Sequence, residues 1–275
     1  MPQFAARRAA FRALHDQGCF VMPNPWDVGT ARALAQLGFP ALATTSAGFA
    51  FSRGAPDAPD GLHVADVLDH VADVVGATEL PVNADFQAGY ADDAEGVAVN
   101  VARCVQTGVA GLSIEDMVAG RTEPLYPVEE AVARIRAART AIDASGADVL
   151  LTGRAECFLV GHPHALREAV RRLQAYAEAG ADVLYAPGLR TADEIRAVVE
   201  AVAPKPVNVL MAADTGLKVA DLAELGVRRV SVGSALARTA WGAFLRAART
   251  IARDGSFAGL GDAAPMAELN AIFEA

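Results

Sequence analysis

Asp85 and Glu115 each close a short apolar run, in VNADF and LSIED. Two carboxylates brought to neighbouring strand ends repel one another unless they are protonated, hydrogen-bonded or bound to a cation. A hard divalent ion resolves that conflict. With no histidine or cysteine pair nearby, oxygen-only ligation favours Mg²⁺ or Mn²⁺ over zinc, and Mg²⁺ keeps water positions that a substrate oxygen can take. An ion pair of either acid with Arg154, which ends the run LLTGR, resolves it equally well. Arg154 therefore has two readings, as a planar fork for a substrate carboxylate or as the counter-charge of Asp85, Glu115 or Glu156. In TTSAG the backbone amides of Ser46, Ala47 and Gly48 carry little side chain. They could cradle a carboxylate or enolate oxygen, although small residues also end strands for packing reasons. Gly233 and Ser234, in VSVGSALAR, open a helix whose N-terminal amides could bind phosphate. The preceding NVLMAADTG lacks the glycine-rich loop of a full phosphate cradle, so helix capping by Ser234 is the stronger reading.

These groups can meet only if the chain places strand ends side by side. Short β-branched runs at Phe20–Pro23, Ala41–Ser46, Val82–Phe86, Gly111–Asp116, Val149–Arg154, Val183–Ala186, Val207–Met211 and Arg229–Val232 read as eight strands. Between them, near 27–37, 61–76, 92–107, 127–143, 163–179, 191–203 and 218–225, apolar residues recur at helical spacing. LGFPALATT, TGVAGLSIE, AGADVLYA and LGVRRVSVG repeat one phrase: a glycine after a helix, then a run apolar enough for a strand buried on both faces. Alternation of this kind predicts an α/β fold, a (β/α)8 TIM-type barrel, as one domain over residues 1–275. Reactive groups then belong at the C-terminal strand ends, which are polar here: Asn24, Trp26 and Asp27 after the first, Asn83 and Asp85 on the third, Arg154 and Glu156 after the fifth. A helix over residues 3–17 is expected to cover the barrel floor, and Phe49–Gly61 reads as a long polar loop. Residues 234–275 form a helical extension whose stripe of Ala237, Trp241, Leu245 and Ala248 exceeds what a barrel requires.

The 275 residues are 53% hydrophobic and 21% charged, which excludes disorder, and the net charge of −9 argues against a nucleic-acid partner. No apolar run reaches the roughly 18 to 20 residues that span a bilayer, and the start MPQFAARRAAFRALHDQG lacks a signal-peptide core. A cytoplasmic protein without a membrane partner is expected. Cys19, Cys104 and Cys157 read as buried thiols, His162 and His164 as loop and cap residues, and neither Lys205 nor Lys218 is placed for Schiff-base chemistry.

Read in order, these segments resemble the isocitrate lyase/phosphoenolpyruvate mutase superfamily over nearly the whole chain. NPWDVGTARALAQLGFPALATTSAG is similar to the family's opening strand, helix and second strand, PVNADFQAGY to its metal motif Asp-x-Asp-x-Gly-Tyr-Gly, and GVAGLSIED to its Gly-x-x-Gly-x-x-x-Glu-Asp strand. LLTGRAECFLVG resembles its arginine strand. The resemblance implies that Ser46, Ala47 and Gly48 face the carboxylate and oxo group of a 2-oxo acid, with Trp26 also on the substrate side. It implies that Arg154 grips the carboxylate, that Asp85 and Glu115 hold Mg²⁺, and that Asp57 lies near the reacting centre. It further implies a modified barrel whose C-terminal helix is exchanged between subunits of a homo-dimer or homo-tetramer.

Two departures narrow the function. Asn83 stands where the metal motif has its first acid, which implies weaker metal binding. After Glu115 and Asp116 the chain reads MVAGRTEPLYPVEEAVARI, without the Lys-Lys-Cys-Gly-His loop of the lyases or the lysine- or asparagine-bearing gate of the mutases and hydrolases. The expectation is an Mg²⁺-dependent enzyme that acts on or forms a 2-oxo acid or dicarboxylate through an enolate, as a C–C lyase or decarboxylase. The alternatives are a C–P phosphonomutase or phosphonopyruvate hydrolase, a 2-oxo acid binding protein without turnover, and, setting the resemblance aside, a phosphate-binding aldolase-type barrel.

Overall fold

The computed structural model describes residues 2–58, 61–118 and 122–274. Part of the segment expected to form the gate, residues 119–121, lies outside these.

Eight parallel strands, β1 (Phe20–Met22), β2 (Leu42–Ala43), β3 (Val82–Asp85), β4 (Gly111–Glu115), β5 (Leu150–Arg154), β6 (Val183–Tyr185), β7 (Val207–Leu210) and β8 (Arg229–Ser231), pair in sequence order, and β8 pairs with β1. Two bonds draw β1 and β2 together above the strands: the Ala43 amide donates to Pro23 O at 3.0 Å and Asn24 Nδ2 donates to Thr44 O at 2.9 Å. The result is the expected (β/α)8 TIM-type barrel, nearly closed.

Helices α1 (Pro2–Ala13), α2 (Val28–Gln36), α3 (Ser46–Ser52), α4 (Val64–Gly76), α5 (Ala94–Gln106), α6 (Val128–Ala144), α7 (Ala165–Glu178), α8 (Ala192–Val202) and α9 (Val219–Glu224) accompany the strands. Several start where the sequence supplies an acceptor for the first free amides. Asp27 accepts from the Thr30 amide and Asp93 from that of Gly96, while Thr191 and Glu194 cap α8 reciprocally. Such caps contribute roughly 1 kcal/mol each. Ser46 differs from expectation, because it opens α3 instead of ending the second strand, and the loop expected from Phe49 begins as helix. Thr45 caps α3 by accepting from the Gly48 amide, and Phe49 and Ala50 turn inward.

Strand alternation sorts the barrel's residues into two environments. Leu112, Ile114, Leu151, Leu184, Val209 and Val230 point outward and are buried under the helices. Inside, the floor is apolar: Phe11 of α1 plugs it among Phe20, Met22, Ala41, Leu150 and Val183. Gly111 is required there, since a Cβ would lie 2.8 Å from the Phe11 ring and 2.6 Å from Asn83 Oδ1. Above this plug the inward positions turn polar, and the polar half opens at the C-terminal strand ends.

The last long helix, α10 (Ala235–Asp254), does not cover the barrel as its predecessors do. Among its residues only Ala237 is buried, whereas Trp241, Phe244 and Leu245 are exposed. Ser234 precedes it without a side-chain cap bond, contrary to the capping expected. Instead, Asn24 Oδ1 accepts from the amides of Val232 and Gly233, tying β1 to the end of β8. The chain ends in α11 (Met266–Glu274), held on α2 by a bond from Gln36 Nε2 to Ile272 O.

Candidate active site

A cavity of about 160 Å³ opens at the C-terminal strand ends, where Ser46, Ala47, Asp57, Asp85, Arg154 and Tyr185 share its wall. Register explains the convergence. Asp85, Glu115, Arg154 and Tyr185 end β3 to β6 at inward positions, and Glu115, Arg154 and Tyr185 are direct cross-strand neighbours.

Arg154 is the hub. Its Nη1 lies 3.1 Å from both Asp85 Oδ1 and Glu115 Oε2, and its Nε meets Glu156 Oε1. The ion-pair reading of these acids is the one the structure shows, and among the described residues no group of three or more His, Cys, Asp or Glu side chains gathers to hold a metal ion. Nη2 makes no hydrogen bond among the described residues, so its donors remain for a ligand. Burial works against the Arg154 charge, but Glu115, Glu156 and Asp85 outweigh it and raise its pKa. Burial likewise raises Glu115, Arg154 offsetting part of the effect, and pushes Glu156 up to about 6. Glu115 sits behind Arg154, off the cavity wall.

Asp85 also anchors the second strand's end: its Oδ2 accepts from the Ser46 amide at 2.9 Å, and its own amide donates to Thr44 Oγ1. The three small-residue amides are therefore not equivalent. Ser46 is engaged by Asp85 and Gly48 by Thr45, while the Ala47 amide is free among the described residues. Asp57 hangs at the exposed rim with its carboxyl turned to the cavity. Loss of water, and then the charge of Asp85, raise it, while Arg154 and a hydrogen bond from Ser46 pull it back.

The neighbouring segments hold this cluster in place. After β3, Gln87 and Tyr90 adopt left-handed backbone with φ of 42° and 52°, a conformation that costs non-glycine residues roughly 1–2 kcal/mol. The turn persists because Arg134 donates to the carbonyls of Ala88, Ala91 and Asp92, and Asn100 to those of Gly89 and Tyr90. Asp116 faces away from the cavity; it accepts from Arg172, Tyr176 and the Glu156 amide, locking β4 to the loop after β5.

Trp26 is not brought to Arg154. It lines a separate apolar groove with Ala237, Trp241 and Phe244. Conversely, sequence reasoning passed over Tyr185, Asn208, Arg229 and Ser231, all on the cavity wall. Period-two alternation outward from Val183 and Arg229 carries the signal that would have found them.

The family model for phosphoenolpyruvate phosphomutase matches residues 11–252. The chain belongs to the phosphoenolpyruvate mutase/isocitrate lyase superfamily. It is 49% identical to a solved candidate lyase/mutase from Burkholderia cenocepacia J2315, with TM-score 0.94 over 99% of this chain and 98% of that one. It is 31% identical to the oxaloacetate decarboxylase of Paraburkholderia xenovorans over 83% of this chain and 75% of the relative. A phosphonopyruvate hydrolase solved with oxalate and Mg²⁺ is 28% identical, with TM-score 0.84 over 98% of this chain and 95% of that one. Superfamily members are lyases, decarboxylases and mutases, which supports an enzyme of that general kind.

Proposed function

We propose that this chain is an Mg²⁺-dependent enzyme that acts on a 2-oxo acid, or forms one, through an enolate, as a C–C lyase or decarboxylase. The observation that carries the reading is the charge balance around Arg154: Asp57, Asp85, Glu115 and Glu156 surround one guanidinium whose Nη2 is left for a ligand. Those hard oxygen donors suit a divalent cation at Asp85, with Glu115, behind Arg154, reaching it through water. When bound, the ion would polarise the oxo group and stabilise the enolate charge. Arg154 Nη2 and the Ala47 amide would take the substrate carboxylate and oxo oxygens, and Asp57 at the rim would face the reacting carbon. Oxaloacetate decarboxylase among the relatives and oxalate in the phosphonopyruvate hydrolase support a small 2-oxo acid or dicarboxylate as ligand.

The test is a turnover panel of oxaloacetate, 2-methylisocitrate and phosphonopyruvate with Mg²⁺, Mn²⁺ or chelator, following pyruvate release. Metal-dependent pyruvate from a C–C substrate is expected, lost in Asp85→Asn and Glu115→Gln. Turnover of phosphonopyruvate alone would favour C–P cleavage, and binding without turnover would leave a 2-oxo acid binding protein.

The apolar face that α10 leaves exposed supports a homo-dimer or homo-tetramer in which this helix packs on a neighbouring subunit.

A further inference from the structure

Arg229 opens β8 inside the barrel and is 2% exposed. Its guanidinium reaches across the interior: Nε donates to Asn208 Oδ1 of β7 at 2.9 Å, Nη2 to Thr152 Oγ1 of β5 at 2.9 Å, and Nη1 faces His15 Nε2 of the floor at 3.5 Å. All three partners are neutral, His15 included, because burial lowers that ring to about 3. A guanidinium has five N–H donors, and these contacts use three. Among the described residues no carboxylate pairs with Arg229. Arg134 and Arg172, also buried, each meet an acid, and Arg8 donates to the carbonyls of Val105 and Val109. Buried charges are ordinarily paired in this way. Burial lowers Arg229 to about 9, which leaves it charged at neutral pH.

This unpaired cation is not sealed in the core. Arg229 lines the active-site cavity together with Met22, Ser113, Asn208 and Ser231. It is the cross-strand partner of Phe20, which belongs to the floor plug, so it marks the lower end of that cavity. Two guanidiniums therefore line one chamber in opposite surroundings, Arg154 among acids and Arg229 among neutral groups. We propose that Arg229 forms an anion site at the cavity floor that takes one small carboxylate or a halide. The planar fork matches a carboxylate, and contacts to β5, β7 and α1 already hold it in place, so little freedom is lost on binding. A free anion can supply this chemistry, and so can the far carboxylate of a diacid whose other end is held at Arg154. The site does not depend on the 2-oxo acid reading above, since the unpaired charge alone argues for it.

The experiment has two readouts on the full chain, with chelator present so that neither metal nor turnover enters. Crystals of the wild type soaked in bromide should show an anomalous peak against the Arg229 guanidinium. Calorimetry with formate should show binding at least about 10-fold weaker in Arg229→Met than in wild type. Arg229→Lys, which keeps the charge and loses the fork, should recover part of it. Malonate decides the source: affinity weakened in both Arg154→Lys and Arg229→Met assigns the site to the far carboxylate of a diacid, and affinity weakened in Arg229→Met alone assigns it to a free anion. Bromide absent from Arg229 overturns the proposal, as does formate affinity in Arg229→Met within threefold of wild type. Formate binding lost in Arg154→Lys alone overturns it too, because the anion then sits at the strand ends. If Arg229→Met fails to fold, the bromide map of the wild type decides by itself.

Discussion

Arg154 Nη1 stands 3.1 Å from Asp85 Oδ1, and both side chains are only 16% exposed. A pair so nearly enclosed is strongly coupled, and removing one member leaves the other's charge poorly solvated. Arg154→Ala strips the partner from Asp85, Glu115 and Glu156 at once, and unfolding in urea should show a loss of about 3 kcal/mol near neutral pH. Arg154→Lys should recover part, because the charge returns but the fork that reaches several acids does not. Equal stability of wild type and Arg154→Ala would contradict the cluster as described.

Glu156 gives the cluster a pH signature. Its folded carboxyl is pushed up to about 6 from 4.5, by burial foremost. The folded state therefore binds this proton more tightly than the unfolded chain, and the stability it adds is full below about 4.5 and lost as pH rises through about 6. The change is about 2 kcal/mol. Glu156→Gln cannot titrate, so its stability relative to wild type should improve by that amount between pH 4.5 and pH 7. Parallel curves would remove Glu156 from the account.

At the barrel floor the sign is opposite. His15 Nδ1 bonds Phe11 O at 2.8 Å, and its Nε2 faces Arg229 Nη1 at 3.5 Å. A neutral ring donating from Nδ1 and accepting at Nε2 satisfies both partners. Burial, and next the Arg229 charge, lower its pKa to about 3. That contribution is present above about 6.5 and lost as pH falls, by roughly 5 kcal/mol in full. Replacing His15 with glutamine should flatten the acid limb of the stability profile between pH 6 and pH 4; an unchanged limb would show that His15 titrates as freely folded as unfolded.

The apolar residues of α10 make a separate prediction. Trp241 and Phe244 stack edge to face with ring centroids 5.5 Å apart, on a helix face left exposed by its own barrel. Trp241→Glu and Phe244→Glu should convert an oligomer to monomer by light scattering at micromolar concentration, with little change in secondary structure. A monomeric wild type would rule out helix exchange.

The barrel is legible because eight short strand-like runs alternate with helical patterns, four of them introduced by the same post-helix glycine phrase, and the acids and arginine that end β3 to β5 are legible because charged residues closing buried strands are unusual. Ser46 was misplaced in the second strand because TTSAG has a strand's small residues, whereas the Thr45 cap that starts α3 depends on a single hydroxyl. Tyr185 and Arg229 were missed for a different reason. Each lies inside a run that reads as continuous strand, and which of two alternating faces meets the barrel axis is fixed by register with neighbours far away in sequence. Trp26, which the resemblance puts on the substrate side, instead lines the groove beside α10, a placement its position after the first strand does not reveal.

The central claim, a metal-assisted cradle for a 2-oxo acid enolate, is tested most directly by calorimetric titration of oxalate, a planar mimic of that enolate, into the full chain with and without Mg²⁺. The account predicts that oxalate binds at least 10-fold more tightly with Mg²⁺ than with chelator, and that Arg154→Lys weakens the Mg²⁺-supported binding. Oxalate affinity that is absent at millimolar concentration, or that ignores both Mg²⁺ and Arg154, would contradict it.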